Sequence, residues 1–314
     1  MTTKTRINQS IQKSPYISRD LSWLEFNRRV LDQAKNPHRS IFEQIKFLAI
    51  TASNLDEFFM IRVGSLYNYI DFGRERIDNS GLREMPFRDL LLRELRFFSL
   101  DQQRFYREVL LPRFKENGFS VMKVEQLRES EKVEIEEYFQ RTIFPMLTPM
   151  LYDNYRSFPT IMNKTLTFGV VTKSPEEDKE EERLSFVQIP QNLPRFYELE
   201  RDDTLLFIPI EEIIRWKIHR LYRNVEMVSV SLFRITRNGD IDLEESEEME
   251  DDFIEEVKRK LHRRKSGRVV RVEVEKGYAP SMMRILKKRW ELDDMNIFLN
   301  DKFIDYTGMF QIAG

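Results

Sequence analysis

Apolar residues in the N-terminal third of the chain recur three and four positions apart, which is the spacing of an amphipathic α-helix. This pattern predicts a first helix that begins at the Ser22 cap and ends before Asn36, and further helices over residues 41–54, 54–72 and 87–115. Short polar connections separate them, so an antiparallel helical unit is expected over residues 1–117. Its first 15 residues lack the pattern and are expected to be disordered or loosely attached.

Short sequence signals mark where several of these helices begin. Ser22 with Glu25 and Ser40 with Glu43 each follow the Ser-x-x-Glu pattern of a capping box, and they predict the starts of the first two helices. Pro86 predicts the first position of the last helix, because a proline there loses no intrahelical hydrogen bond.

The small polar residues of the segment Thr51 to Asn54 interrupt the apolar pattern in the middle of the helical unit. Asn54 lies three residues before Glu57, which is a capping-box-like spacing. The pattern therefore predicts a corner between two helices, with Asn54 as the N-cap of the second. Asp56 and Glu57 are expected to be exposed in its first turn.

The pattern changes after Asn117-Gly118, a pair typical of turns. Alternating apolar residues predict strands over residues 119–124, 165–172, 184–189, 204–208, 227–236 and 269–274. Helical spacing predicts helices over residues 131–144, 210–222, 252–263 and 280–290. Because strands and helices mix without strict alternation, an α+β head domain is expected over residues 118–314. Two acid-rich segments, 176–182 and 242–252, are interpreted as solvated loops.

Composition narrows the possible classes of protein. The 314 residues include 51 basic and 53 acidic residues, so a net charge of −2 provides no global attraction to nucleic acid or membrane. The absence of cysteine excludes disulfides, thiolate metal sites and cysteine nucleophiles. No apolar segment approaches the length of a transmembrane helix, and the polar N-terminus does not have the pattern of a signal peptide. A cytoplasmic protein without a transmembrane segment is expected.

Asn54 is the clearest candidate for a ligand contact. Its side chain both donates and accepts hydrogen bonds, which suits the edge of a nucleobase, whereas the neighbouring acids disfavour a bare phosphate. The alternative is that Asn54 only caps a helix.

The densest basic segment contains Lys258, Arg259, Lys260, Arg263 and Arg264. These residues either complement the dipole at the end of a predicted helix or contact a polyanion. No aromatic residue is interleaved with them, so nucleic acid is not the expected partner.

The three histidines could in principle bind a metal ion or take part in catalysis, but the residues around them do not support either role. His38, His219 and His262 lack a second histidine or a carboxylate at metal-ligand spacing, so structural roles are expected. No catalytic residue and no metal ligand is assigned.

The two N-terminal motifs together resemble the polyphosphate kinases that make polyphosphate from ATP through a phosphohistidine. The matching residues are Tyr16-Ile17, Leu21-Ser22-Trp23-Leu24, Phe26-Asn27, Arg29-Val30-Leu31, Phe47-Leu48, Asn54-Leu55-Asp56-Glu57-Phe58 and Arg62. Weaker similarities include Phe144-Pro145-Met146-Leu147-Thr148-Pro149, Ile189-Pro190, Pro194-Arg195-Phe196 and Arg234-Ile235-Thr236-Arg237.

The resemblance implies that the phosphorylated histidine and the metal site belong to two C-terminal phospholipase D-like domains, expected beyond Gly314. It implies that Asn54 contacts the adenine of ATP and that basic head residues help to form a tunnel for polyphosphate. Mg²⁺ with ATP is the implied cofactor, and ATP, ADP and polyphosphate are the implied partners. A homodimer or higher homo-oligomer is also implied, with peripheral membrane association left open.

Two functions follow as hypotheses. In the first, the chain is the N-terminal and head portion of a polyphosphate kinase and is inactive by itself. In the second, it is a stand-alone, non-catalytic module that binds a nucleotide or polyanion or dimerises.

Overall fold

The structure is a computed structural model that describes residues 16–73, 77–79, 81–153, 157–173, 182–239, 267–301 and 303–314. Several predicted features lie outside these residues. They are residues 1–15, predicted to be disordered, residues 252–263, predicted to be a helix with a basic segment, and the two acid-rich segments apart from Glu182.

The N-terminal region is helical, as predicted. Its helices are α1 (Arg19–Lys35), α2 (Ile41–Phe58), α3 (Gly64–Asp71), α4 (Glu84–Phe105) and α5 (Leu111–Glu116). A π-helical turn joins α2 to α3, and a second one joins α4 to α5. Each pair therefore continues as one long helix, because a π turn adds a residue without breaking the helix.

Two of the three predicted helix starts were wrong. The N-cap of α1 is Ser18 rather than Ser22, and its hydroxyl accepts from the backbone N–H of Leu21. Pro86 is the third residue of α4 rather than the first. The capping box of Ser40 and Glu43 is confirmed, with both reciprocal hydrogen bonds present.

The corner predicted at Thr51 to Asn54 was also wrong, since α2 runs through it without a break. The hydroxyl of Thr51 donates to the carbonyl of Leu48 one turn earlier at 2.7 Å, and Asn54 bonds to another helix. The helix accommodates both side chains, because Thr51 bonds back to the preceding turn of α2 and Asn54 bonds to a neighbouring helix. Asp56, predicted to be exposed, is buried, whereas Glu57 is exposed.

The head contains two sheets and several helices, which confirms the α+β prediction. Its strands are β1 (Phe119–Val121), β2 (Pro149–Tyr152), β3 (Thr167–Lys173), β4 (Arg183–Gln188), β5 (Phe196–Arg201), β6 (Thr204–Pro209), β7 (Glu226–Arg237), β8 (Val269–Glu275) and β9 (Ile297–Asn300). Its helices are α6 (Glu129–Tyr138), α7 (Ile210–Lys217), α8 (Pro280–Trp290) and α9 (Phe310–Ala313).

The strand orders are β1-β6-β5 and β2-β4-β3-β7-β8-β9. Only the β1–β6 and β8–β9 pairs are parallel among the described strands. The pattern missed β2, β5 and β9, which lie at or next to sheet edges and are only four to six residues long.

The helical region and the head share apolar packing. The cluster that buries Leu48 and Phe59 of the first helices also contains Phe298, Met309 and Ile312 from the last part of the chain. A 3₁₀ turn and α9 pack back onto α2. The helix that carries Asn54 is therefore held between the other helices and the head.

Candidate functional site

Asn54 lies half-buried on α2, where it faces α1. Its amide nitrogen donates to the side-chain oxygen of Asn27 at 3.1 Å. Asn27 is fully buried, and its own amide nitrogen donates to the backbone carbonyl of Thr51 at 3.2 Å. Gln102 of α4 completes the chain by donating to the hydroxyl of Thr51 at 2.8 Å. Three helices therefore fix the position of Asn54.

The contact between α1 and α2 repeats once per helical turn. Beyond the Asn27–Asn54 pair, Trp23 stacks on Phe58 with ring centroids 4.2 Å apart. One turn further, Arg62 donates to buried Asp20 at 2.7 Å. The motif residues Trp23, Asn27, Asn54, Phe58 and Arg62 thus form one antiparallel helix contact, because residues three and four apart share a helix face.

The atom of the Asn54 amide that is hydrogen-bonded differs from the one expected for a helix cap. In a helix cap the side-chain oxygen would be occupied and the NH₂ group free. Here the NH₂ group uses one hydrogen toward Asn27, and the side-chain oxygen has no partner among the described residues. One acceptor and one remaining donor are available on the same amide, which is the pair that an adenine edge requires.

Asp56, two residues after Asn54, points to the opposite side of α2 and into the head. Arg234 of β7 donates to Asp56 at 3.0 Å and to Glu273 at 2.9 Å, and Arg271 of β8 also binds both carboxylates. Thr236 accepts from Arg271 at 2.7 Å. Two buried guanidiniums and two buried carboxylates therefore connect α2 to the large sheet, and each compensates the charge of the others.

The pKa values of the two buried acids move in opposite directions. Burial by itself would raise the pKa of Asp56, but the charges of Arg234 and Arg271 outweigh it and lower that pKa. Burial raises the pKa of Glu273, which also faces the negative charges of Asp56 and Asp305. Of the two acids, Asp56 is therefore the one that loses its proton more readily.

A cavity of about 360 Å³ opens beside this cluster, between α2 and the head. Its charged lining residues are Asp56, Lys164, Arg195, Arg234 and Asp305. Arg195 is itself paired with buried Glu211, and burial lowers the pKa of Arg195 to about 10, so that it stays charged at neutral pH. The charges lining this cavity are mixed in sign.

The remaining candidate residues contribute no site within the described chain. Lys258, Arg259, Lys260, Arg263 and Arg264 lie outside the described residues, as does His262. His38 and His219 are exposed on the surface. Within the described ranges, no group of three or more histidine or acidic residues could hold a metal ion. No helix of the described residues is long and apolar enough to cross a membrane.

The buried arginines are the site residues that sequence reasoning missed. Arg234 was noticed only as part of a loose motif, and Arg271 not at all. A usable signal was present: each is a charged residue within a strand rich in apolar residues, where a buried charge requires a partner. The sequence does not indicate which of its 53 acidic residues is that partner.

Comparison with protein-family models finds two matches. The polyphosphate kinase N-terminal domain matches residues 16–122, and the polyphosphate kinase middle domain matches residues 130–312. The middle-domain match alone covers more than half of the chain.

Curated relatives and one solved structure agree with these matches. A polyphosphate kinase of Halalkalibacterium halodurans is 37% identical over 95% of this chain and 42% of its own length. One from Thermosynechococcus vestitus is 30% identical over 95% of this chain and 41% of its own length. The crystal structure of polyphosphate kinase from Porphyromonas gingivalis superposes with a TM-score of 0.76 at 20% identity, over 95% of this chain and 41% of that one. The chain thus spans about two fifths of the length of these relatives.

Proposed function

This chain belongs to the polyphosphate kinase family and comprises its N-terminal and middle domains, and from that we propose its part in the complete enzyme. The complete enzyme reversibly transfers the terminal phosphate of ATP to polyphosphate through a phosphohistidine. We assign that histidine to the C-terminal part of the enzyme, outside the two fifths of its relatives' length that this chain matches. We therefore expect the 314 residues to be inactive alone.

Within that enzyme, Asn54 is the contact for adenine. The observation that carries this assignment is the half-exposed amide, which keeps one acceptor and one donor after bonding to Asn27. An asparagine amide matches adenine because the 6-amino group donates and a neighbouring ring nitrogen accepts. The Trp23–Phe58 stack and the Asp20–Arg62 ion pair hold the amide in place before ATP arrives, so little conformational entropy is lost on binding.

The polyphosphate contact is assigned to the basic segment with Lys258, Arg259, Lys260, Arg263 and Arg264. The chain has a net charge of −2, which does not attract a polyanion, so a local cluster of basic residues must provide the attraction. Mg²⁺ accompanies ATP and offsets the phosphate charge when it is bound. As the family resemblance implies, its ligands are assigned to the C-terminal part of the enzyme.

The proposed assembly is a homodimer or higher homo-oligomer, and the proposed location is the cytoplasm, at times at the membrane periphery. Family resemblance supports both of these proposals.

The test compares ATP with GTP as phosphate donors for the protein extended to its natural stop codon, with and without Asn54→Ala. Adenine and guanine differ at the hydrogen-bonding edge, so a base contact discriminates between them. Loss of one or two hydrogen bonds corresponds to about a 5- to 30-fold loss of kcat/KM for ATP. The expected result is that this loss exceeds the loss for GTP.

Two outcomes would count against the proposal. An equal fall of kcat/KM for both nucleotides, together with a lower melting temperature, would make Asn54 a purely structural residue. Polyphosphate synthesis by the 314-residue chain alone would refute the division of roles. Ser53→Ala, a change at an exposed neighbour that also borders the mixed-charge cavity, serves as the matched control.

A further inference from the structure

A second cavity, of about 600 Å³, lies where the end of α4 meets β1 and the last part of the chain. Its apolar and aromatic walls are formed by Tyr106, Leu111, Val121, Pro209, Phe303 and Tyr306. This volume is in the range of small-molecule sites, which are mostly apolar with a few placed polar groups. Asn54 and the Asp56–Arg234–Arg271–Glu273 cluster do not line this cavity.

Three of the wall residues form one aromatic cluster. The rings of Tyr106 and Phe303 are stacked with centroids 5.4 Å apart. Tyr306 packs edge-on against Tyr106 at 5.3 Å and lies 5.5 Å from Phe303. Such a cluster presents a rigid wall to a planar ring, and aromatic pairs gain energy beyond the area that they bury.

The two tyrosines bring hydroxyls that have no partner. Tyr106 is only 7% exposed and Tyr306 only 6%, yet neither hydroxyl makes a hydrogen bond to any described residue. Tyrosine hydroxyls on largely buried rings usually have a hydrogen-bond partner. Neither oxygen is among the fully buried unpaired atoms of the described residues, so each keeps some access to solvent, and both side chains line this cavity.

The charged side chains of the cavity wall have partners within the protein, including Lys123 and Glu212. Glu211 is paired with Arg195, and Asp301 is paired with both Arg107 and Lys276. Two acids of the cavity wall are thus already neutralised by basic residues. An ionic ligand would have to compete with these pairs, so the electrostatics favour an uncharged one.

We propose that this cavity binds a planar, uncharged aromatic molecule with a hydrogen-bond acceptor that receives the hydroxyls of Tyr106 and Tyr306. The acceptor satisfies the hydroxyls, and the ring packs against the aromatic wall. Burial raises the pKa of both tyrosines, so both remain donors throughout the neutral range. The site does not depend on the proposed phosphotransfer, since it involves neither Asn54 nor the basic segment.

The experiment uses two probes of the same shape, quinoline and naphthalene, with the 314-residue chain at neutral pH. Quinoline has a ring nitrogen that accepts a hydrogen bond, and naphthalene does not. Saturation-transfer NMR, with both probes kept below the solubility limit of naphthalene, measures the affinity of the chain for quinoline and for naphthalene. We expect quinoline to bind about fivefold or more tightly than naphthalene, which corresponds to one net hydrogen bond.

Variants identify the donor. Tyr106→Phe and Tyr306→Phe keep the rings and remove the hydroxyls, so the double variant is expected to lose the preference for quinoline while naphthalene binding is unchanged. Tyr197→Phe is the matched control, because the hydroxyl of Tyr197 donates to Glu134 outside the cavity. Leu111→Trp, which fills the cavity, is expected to abolish binding of both probes.

The location has an independent readout. We expect nuclear Overhauser contacts between the probe and the methyl group of Met122, another wall residue, in the unmodified chain. This measurement does not need the Leu111→Trp variant, so the binding site can be located even if that variant fails to fold. The proposal is overturned if quinoline binds no more tightly than naphthalene, if the double tyrosine variant keeps the preference, or if the probe makes no contact with Met122.

Discussion

Asp56 and Arg271 are 215 positions apart in the chain and form a buried ion pair that joins α2 to β8. Arg271 is 2% exposed and Asp56 is 4% exposed. The guanidinium of Arg271 also lies over the ring of Phe59, with its central carbon 4.3 Å from the ring centroid. The helix that carries Asn54 is thus attached to the head by an almost fully buried ion pair.

Removing the charge of Asp56 is expected to destabilise the fold strongly. Asp56→Asn keeps the shape but leaves Arg234 and Arg271 to share Glu273, so buried positive charge is no longer compensated. We expect the free energy of unfolding in urea to fall by about 3–5 kcal/mol. Glu57→Gln, a change at the exposed neighbour, is expected to alter it by less than about 0.5 kcal/mol. Equal effects of the two substitutions would contradict the role of the pair.

The same cluster predicts two opposite dependences of stability on pH. The pKa of Asp56 is lowered in the folded state from an ordinary value of 3.8, so its contribution is full above that pH and is lost as the pH falls below it. The pKa of Glu273 is raised above 4.5, so the folded state holds its proton longer and stability declines as the pH rises from 4.5 toward the folded pKa. Urea unfolding across this range should show the first slope disappear in Asp56→Asn and the second in Glu273→Gln. Unchanged slopes in both variants would rule out these assignments.

Gly64 is the first residue of α3 and packs against Asn238 of the head. A β-carbon built there would lie 2.1 Å from the side-chain oxygen of Asn238, whose amide donates to the Gly64 carbonyl at 3.2 Å. Glycine to alanine normally stabilises a helix by about 1 kcal/mol, but here we expect Gly64→Ala to destabilise by about 1–3 kcal/mol through overpacking. Adding Asn238→Ala removes the obstructing atoms. The double variant should therefore be more stable than the sum of the two single changes, as thermal or urea unfolding would measure; strict additivity would argue against the clash.

Asn27 is expected to act as a positioning residue for Asn54. It is fully buried and bonds to Asn54 and to Thr51, so Asn27→Ala should lower the free energy of unfolding by about 1–3 kcal/mol. Asn54 is only half-buried, so Asn54→Ala should lower it by less. In the extended enzyme both substitutions should raise the KM for ATP, and the double variant should raise it no further than Asn54→Ala alone. If Asn27→Ala leaves the KM for ATP unchanged, Asn27 does not position Asn54 for ATP binding.

Apolar spacing was sufficient to predict most of the helices, because one helix face must be buried and the apolar residues mark that face. It failed at Thr51 to Asn54, where polar residues were interpreted as a break. The structure shows that this polar face packs against Asn27 and Gln102. Polar residues at helical spacing indicate either a break or a polar contact between helices, and spacing alone cannot separate these two outcomes. Short strands such as β9 were missed because four residues are too few to define a period.

The sequence by itself determined the helical and α+β regions, the capping box at Ser40 and the motif residues that identify the family, because each depends on neighbours within a few positions. Tertiary structure alone decided that Asp56 turns inward to Arg234 and Arg271, that the Asn54 amide leaves its oxygen free, and that two tyrosine hydroxyls border one cavity. These features depend on which strands and helices come together and in which register. That outcome reflects the total burial of apolar surface and the pairing of buried charges across the whole chain, so no local pattern contains it.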